Sequence, residues 1–159
     1  MHKATIVNFI DQVEEGSEFT ASSWPLHITL ADDFKVDLNK ADLLSDLVRF
    51  VNLQQPFDVI AAGDGFLGKH SEIAVTFIDT SMHLIRLHRE LINFLKSEGA
   101  EFYNPHYTIG GYKPHVTIQR LDRVWKSDVI KINNLTLVDM SPSGNQELRR
   151  VLKSIHLDA

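Results

Sequence analysis

The sequence predicts an α+β fold. Two helical segments stand among at least five short strand-like segments, and their order lacks the strict strand–helix alternation of a doubly wound sheet. A His-x-Thr pattern also occurs in two of the strand-like segments, separated by more than half of the chain. This repeat predicts two similar lobes, each of which supplies one imidazole and one hydroxyl, within a single domain over residues 1–159.

The first half of the chain is predicted to contain two strands, a helix and two more strands. β-branched and aromatic residues favour the strands, and leucine and valine at helical spacing favour the helix. The predicted segments are a strand over residues 5–10, a polar loop over 11–23, a strand over 26–30, a helix that begins with Asn39 as its cap and ends before Pro56, and strands over 57–61 and 73–78 around a turn with Gly63, Gly65 and Gly68.

The second half begins with the most clearly periodic element, a helix capped near Ser81 and stopped at Gly99. Its apolar stripe consists of Leu84, Leu87, Leu91, Ile92 and Leu95. We expect His83 and His88 at the surface or boundary of this helix. The remaining predicted segments are a Gly- and Pro-rich stretch over 103–114, a strand over 115–118 and strands over 130–138 and 151–157 around a turn at 141–145.

Composition excludes several classes of protein. The 159 residues include 43% hydrophobic and 23% charged residues, the balance of a globular domain, and no cysteine, which excludes disulfides and thiolate chemistry. Apolar runs are too short to span a bilayer, and the first residues lack the pattern of a signal peptide, so we expect a cytoplasmic protein without a membrane partner. We also expect a monomer. A net charge of −5 argues against DNA as a partner and requires any phosphate ligand to be small or locally attracted.

The repeated motif is Pro-Leu-His27-Ile-Thr29-Leu in the first half and Pro-His115-Val-Thr117-Ile in the second. Alternate residues of a strand face the same side, so each histidine shares a face with its threonine while Ile28 and Leu30 turn into the core. Pro105-His106-Tyr107-Thr108 is a near-duplicate, but Gly110 and Gly111 follow it and break a strand. We therefore select His115 for the second motif and expect His106 in a loop.

With these paired motifs, the chain resembles the two-histidine phosphoesterase superfamily, often labelled 2′-5′ RNA ligase-like, which includes 2′,3′-cyclic nucleotide phosphodiesterases. The resemblance implies a bilobal, pseudo-two-fold-symmetric fold with two antiparallel sheets, flanking helices and a central cleft, and no metal or cofactor. It implies a small nucleotide or RNA terminus with a cyclic phosphate as the ligand. The second lobe departs from the first, since only residues 121–127 link its motif to the next strand.

The residue types suit cyclic phosphodiester hydrolysis. One imidazole deprotonates water and the other protonates the leaving alkoxide, because histidines with pKa values near 6.5 hold both protonation states near pH 7. We therefore predict His27 and His115 as the acid–base pair, without assigning the base, and Thr29 and Thr117 as phosphate donors. Predicted rim residues are Lys113, Tyr112, His106 and Arg120, and Arg123 is a further candidate for local positive charge.

Other hypotheses remain open at this point. The same cleft could serve a non-catalytic binder of cyclic nucleotides or RNA ends, or run in reverse as a 2′-5′ RNA ligase. A histidine metal site with His27, His115 and His106 is a third class. The glycines of residues 63–68 lack the order of a nucleotide-triphosphate loop, which argues against that ligand.

Overall fold

A computed structural model describes residues 1–120 and 122–158 of the chain. The predicted domain over 1–159 includes two residues outside these ranges, and the predicted 121–127 linker includes one of them. The elements are β1 (His2–Phe9), β2 (Glu18–Thr20), β3 (His27–Val36), α1 (Leu43–Asn52), β4 (Phe57–Leu67), β5 (Ile73–Ile78), α2 (Met82–Ser97), β6 (Glu101–Phe102), β7 (His115–Thr117), β8 (Val129–Ile132), β9 (Asn134–Asp139) and β10 (Leu148–His156). Short 3₁₀ helices lie at Pro105–Tyr107, Ile109–Gly111 and Pro142–Gly144.

The strands form two antiparallel sheets, which confirms the α+β fold class. One sheet has the order β2-β10-β9-β1-β3-β6 and the other the order β7-β5-β4-β8. The first motif lies in β3, and the second lies in β7 at an edge of the smaller sheet. β3 and β7 belong to different sheets but contact each other, so the fold brings the two motifs together.

Strand β3 has an irregular register against β1 that changes which side chains share a face. Between Thr29 and Ala31, and again between Ala31 and Phe34, β3 contains one residue more than the paired stretch of β1. Ile28 and Leu30 are buried, as the alternation predicts, and Ala31 is buried next to Leu30. The first bulge thereby places Asp32 on the face of Thr29 rather than on the core face.

The two helices differ in how well their caps were predicted. α2 begins after Ser81, whose Oγ accepts the N–H of Leu84 at 3.2 Å, and Gly99 follows its end with φ of 91°, so this prediction is confirmed. The prediction of Asn39 as the cap of α1 is wrong. The N–H of Asn39 instead binds the carboxylate of Asp37 in a turn, and the helix begins only at Leu43.

Several predicted strand boundaries need correction because pairing, rather than local composition, sets them. The polar stretch 11–23 contains β2, which is stabilised by pairing with β10. Of the glycines predicted to form a turn, Gly63 and Gly65 lie inside β4, whereas Gly68 follows the strand with φ of 100°. A Cβ on Gly65 would lie 2.4 Å from the Phe77 ring, so glycine lets this ring pack across the strand.

The predicted strand over residues 130–138 is two strands. It breaks at Asn133, so that β8 joins the smaller sheet and β9 the larger one. The predicted strand over 115–118 ends at Thr117, although the N–H of Ile118 still donates to the Ala74 carbonyl of β5 at 2.9 Å. Ile118 also lines a hollow.

The core lies between the sheets and the apolar faces of the helices. All members of the predicted α2 stripe are buried: Leu84, Leu87, Leu91, Ile92 and Leu95. No helix within the described residues is long and apolar enough to cross a membrane.

Candidate active site

Two adjoining hollows lie where β3 contacts β7. The first has a volume of about 260 Å³ and is lined by Thr29, Asp32, Leu67, Gly68, Ile73, Tyr107, Tyr112, Lys113, His115 and Thr117. The second is wider, and its lining includes Trp24, His27, Gln119, Arg120 and Asp122. Thr117 and Ile73 line both hollows, so the two motifs face one continuous cleft.

The two motif histidines are anchored in the same way. The Nδ1–H of His27 donates to the carbonyl of Pro25 at 2.8 Å, and the Nδ1–H of His115 donates to the carbonyl of Lys113 at 2.7 Å. Each acceptor lies two residues before its histidine. Because a carbonyl can only accept, each neutral ring carries its proton on Nδ1 and has its lone pair on Nε2. Nε2 is therefore the atom of each ring that can exchange a proton with a ligand.

The His27 ring packs against two aromatic side chains, Trp24 and Phe9. It is 4.6 Å from the Trp24 ring and 6.0 Å from the Phe9 ring, measured between centroids. This burial lowers the pKa of His27 to about 4, against the opposing effect of the Pro25 carbonyl, and positive charge on His115 lowers it further. His27 is consequently neutral at physiological pH.

His115 has a different electrostatic environment. Burial lowers its pKa, whereas the Lys113 carbonyl and the negative charge of Asp32 raise it. Asp32 lines the same hollow as His115. The two imidazoles are thus unequal, since an acid stabilises the protonated form of His115 and a second imidazole opposes that of His27.

The motif threonines have hydroxyls that are free of protein partners within the described residues, and both side chains lie in the cleft. The backbone of Thr29 is fixed, because its carbonyl accepts a hydrogen bond from the hydroxyl of Tyr112 at 2.7 Å. By contrast, Thr108 of the near-duplicate motif donates its hydroxyl to the Pro105 carbonyl at 2.5 Å. Thr29 and Thr117 therefore retain donors that an oxyanion could use.

The predicted rim residues occupy different places. Lys113 lines the first hollow and Arg120 the second. Tyr112 lines the first hollow, but its ring and hydroxyl are engaged inside the protein, and burial raises the pKa of its phenol. His106 is exposed on a 3₁₀ helix and is not among the described residues that line either hollow.

The near-duplicate motif folds as a tight loop instead of a strand. The backbone of Gly111 lies so close to the His106 carbonyl that a Cβ at this glycine would be 1.7 Å from the oxygen. Only glycine permits this approach. The loop thus turns back on itself and leads directly to the second motif.

Arg123 is engaged away from the cleft. Its guanidinium donates to the Asp64 carboxylate at 2.8 Å and lies 3.8 Å from the centre of the Trp125 ring. This pairing holds the pKa of Asp64 below its usual range. The candidate metal set of His27, His115 and His106 is not assembled, and residues 1–120 and 122–158 contain no cluster of three His, Cys, Asp or Glu side chains suited to a metal ion.

His88 is buried next to the cleft residues, where it contacts Tyr112. The expectation of a surface or boundary position for His88 is therefore wrong. The residue is 1% exposed; its Nδ1–H donates to the Leu30 carbonyl at 2.7 Å and its Nε2 accepts the N–H of Ile109 at 2.9 Å. Its ring stacks on Tyr112 with centroids 3.7 Å apart. Burial lowers the pKa of His88, which keeps the ring neutral. Its position four residues after Leu84, on the apolar stripe, was the available sequence signal.

The hydrogen bond between His88 and Ile109 lies at a strained position of the loop over residues 105–111. Ile109 has φ of 55°, a left-handed conformation that is costly for a β-branched residue. The hydrogen bond from its N–H to His88 stabilises that conformation. His88 therefore joins β3, helix α2 and the loop before β7, the three elements that carry or approach the two motifs.

Comparisons with known proteins agree with this fold. The family profile described as the 2′-5′ RNA ligase superfamily matches residues 3–137. Similar solved structures include E. coli LigT with NADP+ (17% identity, TM-score 0.65, 99% of this chain and 98% of that chain) and with 3′-AMP (16% identity, TM-score 0.63, 99% of both chains). A protein described as a phosphoesterase has 15% identity and a TM-score of 0.64, with 99% of both chains covered. A search of curated proteins finds no match.

Proposed function

The chain belongs to the 2′-5′ RNA ligase superfamily of two-histidine phosphoesterases, and on this premise we propose that it hydrolyses 2′,3′-cyclic phosphates of nucleotides or RNA ends, or a related 2′-5′ linkage. One observation carries the proposal. Two imidazoles, each anchored through Nδ1–H to a carbonyl, flank one cleft together with two hydroxyls that have no partner within the described residues. Residues 1–159 would act as one domain whose two sheets are the two lobes.

In the proposed reaction His27 is the base and His115 the acid. Neutral His27 accepts a proton on Nε2 from a water molecule, whose oxygen attacks phosphorus. The bond from phosphorus to one ribose oxygen breaks, and protonated His115 donates its Nε2 proton to that oxygen. The product is a phosphomonoester, and exchange with solvent restores both rings. General acid–base groups of this kind each contribute about 10²–10⁴-fold to rate.

The remaining cleft residues would bind the phosphate. Thr29 and Thr117 can donate hydroxyl hydrogen bonds to its non-bridging oxygens, and Lys113 and Arg120 supply positive charge at the two hollows. A bound anion stabilises both imidazolium forms and so raises the pKa values of both histidines above those of the free protein. This effect would make His27 a stronger base once the substrate is bound.

The ligand class follows from charge and from the relatives. The net charge of −5 disfavours a long polyanion and favours a small nucleotide or a single RNA terminus. Similar structures of E. coli LigT hold NADP+ and 3′-AMP, which supports a nucleotide ligand. The proposal includes a cytoplasmic location, in keeping with a chain without cysteine, and no DNA partner, in keeping with the net charge of −5.

The direct test is turnover without metal. Purified protein in excess EDTA is incubated with 2′,3′-cyclic nucleotides, 3′,5′-cyclic nucleotides and 2′-5′-linked dinucleotides, and the products are followed by phosphorus NMR. We expect the 2′,3′-cyclic phosphates to open at an undiminished rate, because both proton transfers come from imidazoles. Inhibition by EDTA would favour a metal site, and tight binding without turnover would favour a nucleotide-binding protein. Formation of a 2′-5′ linkage from RNA ends would identify the ligase direction.

The pH dependence of kcat/KM tests the assignment of base and acid. Activity should fall as the pH drops through about 4, where His27 gains a proton and can no longer act as a base. It should also fall as the pH rises through the pKa of His115, which lies below 6.5 in the free protein, since the acid is then lost. We therefore expect a bell-shaped profile with its maximum at mildly acidic pH. A maximum above pH 6.5, with the fold intact by circular dichroism, would contradict this assignment.

A further inference from the structure

We propose that Asp32 is a positioning residue that holds the proton on His115 for transfer to the leaving oxygen. Asp32 lines the first hollow together with His115, Thr29 and Thr117, yet it belongs to neither His-x-Thr motif. Its catalytic consequence rests on the proposed function, whereas its electrostatic effect on His115 is a property of the free protein.

The backbone of β3 brings Asp32 into the hollow. With regular alternation from His27, residue 32 would face the core with Ile28 and Leu30. The bulge at Leu30 and Ala31 reverses this alternation, and Asp32 faces the cleft. A carboxylate is costly in the core and is accommodated here only because the strand is irregular.

The side chain of Asp32 is also oriented. Asn104, which lies between β6 and the 3₁₀ helix at Pro105–Tyr107, donates its Nδ2–H to Asp32 Oδ2 at 3.2 Å. Within the described residues Asp32 has no ion-pair partner, and Oδ1 has no protein hydrogen bond. No lysine or arginine within the described residues therefore pairs with the negative charge of Asp32. This charge acts on His115, which lines the same hollow.

Asp32 is the acidic group that favours a proton on His115. From β3 it faces His27 and Asp32, from its own segment Lys113, and from the 3₁₀ helix the phenol of Tyr107. His27 and Lys113 disfavour a proton on His115 when they are charged. Among the described residues that line the first hollow, Asp32 is the one acid, and it opposes both the cations and burial. Asp122 and Arg120, of opposite charge, line the second hollow.

Titration of His115 by NMR in the free protein tests the electrostatic effect. Asp32→Asn keeps the shape of the side chain and removes the charge, so we expect the pKa of His115 to fall. Asp32→Glu should restore most of the shift. Asp33→Asn is the matched control, because Asp33 is adjacent on the same strand but binds Lys3 and Thr5 rather than lining the hollow. An unchanged pKa in Asp32→Asn, or an equal fall in Asp33→Asn, overturns the proposal.

The rate profile tests the catalytic consequence. In Asp32→Asn the alkaline limb of kcat/KM should move to lower pH by the shift measured for His115, while the acidic limb stays in place. A purely structural defect would instead lower activity at every pH and leave the limbs unmoved, which also overturns the proposal. If the wild-type protein fails to open any cyclic phosphate, the proposed function fails, but the NMR titration still decides whether Asp32 controls His115.

Discussion

Replacement of His27 or His115 by glutamine is expected to lower kcat for 2′,3′-cyclic phosphate hydrolysis by about 10²–10⁴-fold in each case. Glutamine approximates the size of imidazole but can neither accept nor deliver the proton at the position of Nε2. The hydrolysis rate at saturating substrate is the measurement. The double variant should be only slightly less active than either single variant, because both proton transfers serve the same displacement at phosphorus.

His106→Gln is the matched control for these variants. His106 also follows a proline and belongs to a His-x-Thr sequence, but it is exposed on a 3₁₀ helix. We expect kcat close to that of the wild-type protein. A His106→Gln variant as inactive as His115→Gln, with both folded by circular dichroism, would mean that the second motif was wrongly chosen.

Truncation of His88 to alanine is expected to lower the free energy of unfolding by about 3–5 kcal/mol. The change leaves the Leu30 carbonyl and the Ile109 N–H without their partner and removes the ring that stacks on Tyr112. The buried polar groups and the cavity both contribute to this loss. Urea unfolding followed by fluorescence measures it.

Conservative variants separate the two hydrogen bonds of His88. His88→Asn retains a donor near the Nδ1 position, and His88→Gln retains an acceptor near the Nε2 position, so each should lose less stability than alanine. His83→Ala is the control on the same helix, where an exposed side chain should change stability by only about 0.5 kcal/mol. Equal effects at His83 and His88 would contradict the bridging role described for His88.

Local patterns in the sequence were sufficient for much of the architecture. The leucine stripe and the Ser81 cap define α2 because helical periodicity and capping act within a few residues. The two His-x-Thr motifs identified the strands that meet at the cleft, because alternation in a strand is equally local. The glycine pair after Thr108 distinguished the loop from the strand at His115 for the same reason.

Long-range pairing decided what these patterns could not. Residues 129–139 have the local composition of one strand, yet they form two strands in different sheets. Strand β8 pairs with β4, whereas β9 pairs with β1 and β10. The burial of His88 depends on acceptors and donors in β3 and in the loop, which lie far away in the sequence.

By itself, the sequence determined the fold class, the family and the candidate histidines and threonines, since these depend on residue types at short spacing. Only the tertiary structure decided that Asp32 enters the cleft and that the two imidazoles are unequal. A bulge arises from the register between β1 and β3, and the pKa of an imidazole depends on the aromatic rings and charges packed around it. Both are properties of contacts between distant segments, so they exist only once the chain has folded.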